Sequence, residues 1–134
     1  AVTVERYMVA ADVGNPVNPK LIEGQLGGGA AQGIGGALSE EFLFSATGEP
    51  LSVTLTDYAL PTADRIPDIE FLITDDAPSP LTPLGIKGVG ELGTGGAGAA
   101  IAAAIDDALG MPGAASGRSC AASADPAGGL QTPR

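Results

Sequence analysis

Val2, Val4, Tyr7 and Val9 mark the opening residues of the chain, and their spacing predicts a strand over residues 2–10. Asp12-Val13-Gly14 then turns the chain, and Asn18-Pro19 announces a helix. An asparagine side chain can accept from a first-turn amide, and proline is tolerated where the N–H would lack a partner anyway. From there the apolar period changes to four. Leu26, Ala30, Ile34, Leu38 and Phe42 form one stripe, which predicts a helix over residues 19–44. Thr47-Gly48 supplies a turn, after which Leu51, Val53 and Leu55 alternate with polar residues as a half-buried strand does. Ile69, Phe71 and Ile73 alternate again and predict a further strand. Pro78, Pro80 and Pro83 impose an extended passage leading to Gly85. Alanine and isoleucine over residues 99–109 then predict a short buried helix, stopped by Gly110 and Pro112.

These elements predict an α+β unit: a small mixed sheet carrying two helices rich in glycine and alanine. Its limits are residues 1–110. Residues 111–134 are rich in Ala, Gly, Ser and Pro without periodicity, and are expected to be a disordered low-complexity tail. A shifted reading frame would produce the same change of character.

Composition qualifies this picture in three ways. Seven glycines fall between Gly24 and Gly36, and each costs roughly 0.5–1 kcal/mol in a helix interior relative to alanine. The first helix is therefore weak alone and needs close packing against neighbouring backbone. The chain carries 16 acidic and 6 basic side chains, a formal charge of −10, so phosphate backbones and anionic membranes are poor partners. With no histidine and only Cys120, it offers no His/Cys zinc site and no internal disulfide, which fits a reducing cytoplasm. No signal or transit peptide is visible, and no apolar run reaches the ~20 residues of a spanning helix.

Three features could carry chemistry. Gly88-Val89-Gly90-Glu91-Leu92-Gly93 matches a dinucleotide-binding fingerprint letter for letter. That fingerprint must follow a strand and open a helix, whereas prolines precede this one and Glu91 would set a carboxylate against the phosphate. The match is discarded. Glu91 itself shares residues 84–98 with only one other charge, Lys87. It is either a solvated loop residue or a partly buried carboxylate suited to act as a base. Gln25 and Gln32 are the only polar side chains between Glu23 and Ser39, and seven residues apart they share a helical face. Each either reads a polar ligand edge through its amide or bonds a nearby backbone group.

The order of motifs adds to this. The run from Val13 through Asn18-Pro19 to Gly24-Gln25-Leu26 and Gln32-Gly33-Ile34-Gly35 is followed by Asp57-Tyr58-Ala59-Leu60-Pro61. Pro78-Ser79-Pro80-Leu81-Thr82-Pro83-Leu84-Gly85-Ile86-Lys87-Gly88-Val89-Gly90-Glu91 comes next. Three separated motifs in this order, within residues 2–110, resemble the C-terminal part of the large, molybdenum-binding subunit of the xanthine dehydrogenase / aldehyde oxidase / carbon monoxide dehydrogenase family. The phrasing resembles the carbon monoxide dehydrogenase-like branch more than animal xanthine oxidase. Gly27, where members often carry a bulkier or polar residue, and the tail depart from the pattern.

The resemblance implies a fragment of a larger molybdopterin-binding domain, in an oxidoreductase that oxidises or hydroxylates an aldehyde, an N-heterocycle or carbon monoxide. It implies Glu91 as the general base, Gln25 as a cofactor contact and no metal ligand from this chain. The implied cofactor is molybdenum-molybdopterin as the cytosine dinucleotide, with iron–sulfur clusters and FAD on partner subunits or domains. Family subunits are several times longer, so these 134 residues would hold one wall of such a site and be inactive alone. A truncated or frame-shifted, non-catalytic remnant is the alternative expectation.

Overall fold

The computed structural model describes residues 2–115. Five elements follow in order: β1 (Tyr7–Asp12), α1 (Pro19–Leu38), β2 (Ile69–Thr74), α2 (Leu92–Gly95) and α3 (Ala97–Leu109). β1 and β2 pair in parallel, in register from Tyr7 opposite Ile69 to Asp12 opposite Thr74. Val13 N–H donates to the Thr74 carbonyl at 2.9 Å and carries the ladder one step further. A parallel pair needs a crossover connection, and α1 with residues 39–68 is that connection. The expected α+β architecture of a small sheet with two helices is borne out, with α2 as an added short turn.

The first strand starts later than its apolar pattern predicts. β2 offers partners only from Tyr7 onward, and Arg6 marks the boundary by gripping Glu70 through Nε (2.6 Å) and Nη2 (2.9 Å). The first helix ends six residues early. Ser39 and Glu40 N–H both donate to the Gly35 carbonyl (2.9 Å each), and the buried Ser52 hydroxyl bonds Leu43 N–H and the Glu41 carbonyl instead. Phe42 continues the period of four but stacks on Phe44 and Tyr58, with ring centroids 5.1 and 6.4 Å away. Its spacing mimicked a helix.

The strand expected over residues 51–55 does not form. Among the described residues only an isolated bridge joins Phe44 to Pro50, and Leu51, Val53 and Leu55 are 54, 65 and 77 % exposed. Alternation was present, but no neighbouring strand meets it. The helix expected over 99–109 forms two residues longer, as α3, and stops at left-handed Gly110 as predicted. Residues 111–115 fold back on Asp106, whose carboxylate accepts from Gly113 and Ala115 N–H at 2.6 and 2.7 Å. The rest of the expected tail, with Cys120, lies outside the described residues.

Helix α1 is the centre of packing. Its Asn18 cap accepts from Leu21 N–H at 3.2 Å, with proline in the first turn. Ile22 and Leu26 join Ala11 and Val13 in one core cluster, against Val9, Ile73 and Val89. Ile34 and Ala37 join Ile101 of α3 in a second. Between the clusters, glycines bring backbone onto backbone. A Cβ on Gly93 would overlap the Leu26 carbonyl oxygen, and one on Gly33 would overlap the Ala97 methyl. One on Gly29 would stand 3.1 Å from Gly93 Cα and Thr94 N. Thr94 Oγ1 closes the seam by donating to the Gly29 carbonyl at 3.0 Å. This is the tight packing that the glycine-rich helix requires.

Two substitutions test this centre. Leu26, fully buried, should lose about 2–5 kcal/mol of stability when changed to alanine. Gly93→Ala should destabilise by about 1–3 kcal/mol through overpacking rather than cavity formation. Thermal unfolding of the assembled protein measures both.

Candidate functional site

The loop that delivers Glu91 is tied down at its start. The carboxylate of Asp12, at the end of β1, accepts from three segments. Oδ1 takes Gly14 N–H (2.9 Å) and Lys87 Nζ (3.2 Å), and Oδ2 takes Ala77 N–H (2.9 Å). Backbone reinforces the tie: Lys87 N–H donates to the Val13 carbonyl (3.0 Å) and Asn15 N–H to the Gly85 carbonyl (3.1 Å). Gly14 sits at φ +61°, and a Cβ there would strike the Gly85 carbonyl oxygen, so only glycine allows this approach. The Gly14 amide chiefly, with Lys87 and Ala77, holds the Asp12 carboxyl below its ordinary value of 3.8 against partial desolvation.

From Lys87 the chain runs through Gly88-Val89-Gly90 to Glu91, then into α2, where Gly93 rests on the Leu26 carbonyl of α1. Leu26 is the sequence neighbour of Gln25. The fold therefore brings the two predicted site segments together, one on a helix and one at the start of the next. Glu91 stands at the N-cap position of α2 without making a capping bond. Its side chain and those of Gln25 and Gln32 are exposed and make no hydrogen bond or ion pair among the described residues. For Glu91 this excludes partial burial within these residues.

The outer face of α1 carries Gly24, Gln25, Gly28, Gln32 and Gly36, all exposed. A Cβ on Gly24, Gly28 or Gly36 would meet nothing within 4 Å. Packing inside the chain accounts for Gly29, Gly33 and Gly35 but not for these three, which weaken the helix without a contact in return. A face of glycines and unbonded amides suits a polar group that approaches the helix backbone closely. Gly27 is different. A Cβ there would lie 3.3 Å from Phe71 Cζ, so the β2 ring accounts for the small residue.

Comparison with known proteins gives this face its context. Residues 1–67 match a molybdopterin cofactor-binding domain. The chain is 48 % identical over 104 residues to the 6-hydroxypseudooxynicotine dehydrogenase complex subunit gamma of Paenarthrobacter nicotinovorans, covering 78 % of this chain and 13 % of that protein. It is 41 % identical over 108 residues to the carbon monoxide dehydrogenase large chain of Hydrogenophaga pseudoflava, covering 79 % and 13 %. The solved structure of quinoline 2-oxidoreductase from Pseudomonas putida 86 superposes with a TM-score of 0.79 at 43 % identity, over 82 % of this chain and 14 % of that one. This chain belongs to the molybdenum hydroxylase large-subunit family. It spans 13 % of the length of the two curated relatives named here.

As a molybdenum hydroxylase segment, the chain sets all three of its sequence motifs on α1. The first runs from Val13 into α1, and the third packs Val89 against the cluster that holds Ile22 and Leu26 before the chain reaches Gly93. The middle motif, Asp57–Pro61, docks at the helix's C-terminal end. Tyr58 hydroxyl donates to Glu40 Oε2 at 2.8 Å, a bond that chiefly raises the phenol's pKa, and a Cβ on Gly35 would meet Pro61 Cδ at 2.7 Å. A hollow of about 430 Å³ between residues 2–4, the C-terminal end of α1 and residues 61–67 touches neither Gln25 nor Glu91. It is an open crease and not the site. Among the described residues no three His, Cys, Asp or Glu side chains gather to hold a metal, and no helix is long and apolar enough to cross a membrane.

Sequence reasoning passed over Asp12 and Lys87 as a turn residue and a stray charge. The local signal was an aspartate two residues before a glycine, but its partners lie 65 and 75 positions away.

Because the folded Asp12 titrates below 3.8, its stabilisation is full above that value and is lost as pH falls through the lower, folded value. Asp12→Asn should therefore be less stable than the native protein at neutral pH, and the gap should narrow below about pH 4. Chemical denaturation at pH 7 and pH 3 checks the sign.

Proposed function

We propose that this chain, as residues 1–110, forms the C-terminal portion of the molybdopterin-binding domain of a molybdenum hydroxylase, with Glu91 as its general base and Gln25 holding the cofactor. The observation that carries this reading is the seam between α1 and α2. Gly93 lies on Leu26, so a carboxylate with no bond of its own and an amide with no bond of its own flank one backbone contact. The glycine face of α1 fits a close-packed polar group, and Gln25 can both donate to and accept from a pterin edge.

When bound, the molybdenum cofactor supplies the two-electron acceptor and the centre at which oxygen is transferred. This chain's part is narrower. The Glu91 carboxylate takes a proton from the attacking oxygen as that oxygen adds to the substrate carbon. Gly88 and Gly90, where an added Cβ would meet nothing within 4 Å, would leave room beside Glu91 for a substrate. The substrate is an aldehyde, an N-heterocycle or carbon monoxide. The cofactor would be the cytosine dinucleotide form, with iron–sulfur clusters and FAD on partner subunits or domains to accept the electrons. The lone cysteine is consistent with a cytoplasmic enzyme.

In the assembled enzyme, Glu91→Gln should retain molybdenum and lose about 10²–10⁴-fold in turnover. Near-native turnover on quinoline, aldehydes and carbon monoxide would remove the assignment. Gln25→Ala should lower molybdenum and pterin content, since it leaves polar cofactor atoms unpaired at about 1–3 kcal/mol. Unchanged occupancy in the purified variant makes Gln25 structural.

A further inference from the structure

Thr94 N–H donates to the Glu91 carbonyl at 3.2 Å, but the Glu91 side chain is held only indirectly. No bond reaches its side chain, and Gly88 and Gly90, which precede it, each have no neighbour within 4 Å of an added Cβ. Glycines so placed leave the backbone wide freedom. What sets the carboxylate's position is the pair of anchors on either side. The downstream anchor is Gly93 on Leu26. The upstream anchor is Lys87, bonded through its backbone to Val13 and through its ammonium to Asp12. Between them Val89 packs at the margin of the first core cluster, and its carbonyl accepts from Leu92 N–H at 3.3 Å.

We propose that Asp12 is a positioning residue for Glu91, acting through Lys87 to fix the start of the Gly88-Val89-Gly90 tether. The inference rests on the reading of Glu91 as the base. An exposed ion pair by itself contributes little, but this carboxylate does more than pair. It gathers the end of β1, the residue after the β2 turn and the loop toward Glu91 onto two oxygens. Its bonds to amides are charge-assisted and directional, and Ser79 N–H and Asn15 N–H fix the same loop from both sides through the Gly85 carbonyl. Asparagine would keep the size of Asp12 while removing the charge that holds the ammonium.

The test uses the assembled enzyme carrying Asp12→Asn, Lys87→Met or both, with Glu91→Gln assayed in parallel. Hydrogen exchange of residues 85–91, molybdenum content, kcat and KM are measured together. Exchange in that segment should rise about tenfold. Per molybdenum, kcat should fall about tenfold, short of the roughly 10²-fold that a misplacement of an ångström costs. KM and molybdenum content should stay within about twofold of native, the pattern of a lost transition-state contact. The double variant should lose no more than the worse single, because both changes remove one tie. Lys87→Met keeps every backbone bond to Asp12 and carries the test if Asp12→Asn fails to fold. Faster exchange with unchanged kcat per molybdenum overturns the proposal, as does a kcat loss that follows molybdenum loss alone or comes without faster exchange. Native turnover in Glu91→Gln fails the base assignment instead, so the two failures are told apart.

Discussion

Glycines along α1 and at the start of α2 let the two segments meet with almost no side chain between them. Helix α1 and the segment from Gly93 to Ala97 meet where Gly29, Gly33 and Gly93 have no side chains, and Thr94 bonds across the gap to the Gly29 carbonyl. A methyl group at any of these glycines would push the two segments apart. Both core clusters lie along the same helix, one toward β1 and β2 and one toward α3, so the separation of α1 from its neighbours sets both. The distance between the Gln25 face and the Glu91 turn follows from it as well.

That arrangement explains a composition that is otherwise hard to reconcile with a stable fold. Glycine weakens a helix because it gives up the most conformational freedom on ordering. Here the loss is offset where glycine admits a partner backbone at van der Waals distance, and dispersion and burial accumulate along the seam. Leu26, Ala30 and Ala97 are completely buried beside it. The glycines of the opposite face receive no such return among the described residues. Under the proposed reading, a cofactor pressed against them would give both faces of the helix the same logic: small residues wherever something rigid must come close.

The protein also leaves much apolar surface uncovered. Phe42, Phe44, Leu51, Val53 and Leu55 are each more than half exposed, and the two-stranded sheet pairs along one edge of each strand. Such a sheet is marginal by itself. The two curated relatives named above are matched over 13 % of their length, and in proteins of that size further chain could cover such surfaces. Asp12 is of a different kind. It organises three segments inside these residues, and its effect is local.

Local periodicity was enough to find α1, β2 and α3, together with the cap at Asn18 and the stop at Gly110, because those signals involve residues within a turn or two of one another. Glu91 and Gln25 stood out as one of two charges and one of two amides in apolar, glycine-rich runs, and only the motif resemblance gave them roles. Tertiary structure decided the rest. Phe42 kept the helical period while Ser52, ten positions on, claimed the backbone that would have continued the helix. Leu51, Val53 and Leu55 alternated like a strand, but pairing needs a neighbour, and none comes. The contact of α2 with α1 and the bonds of Asp12 to Ala77 and Lys87 join residues 65 to 75 positions apart. A period of two or four describes which face a side chain takes, and only the folded chain determines what that face meets.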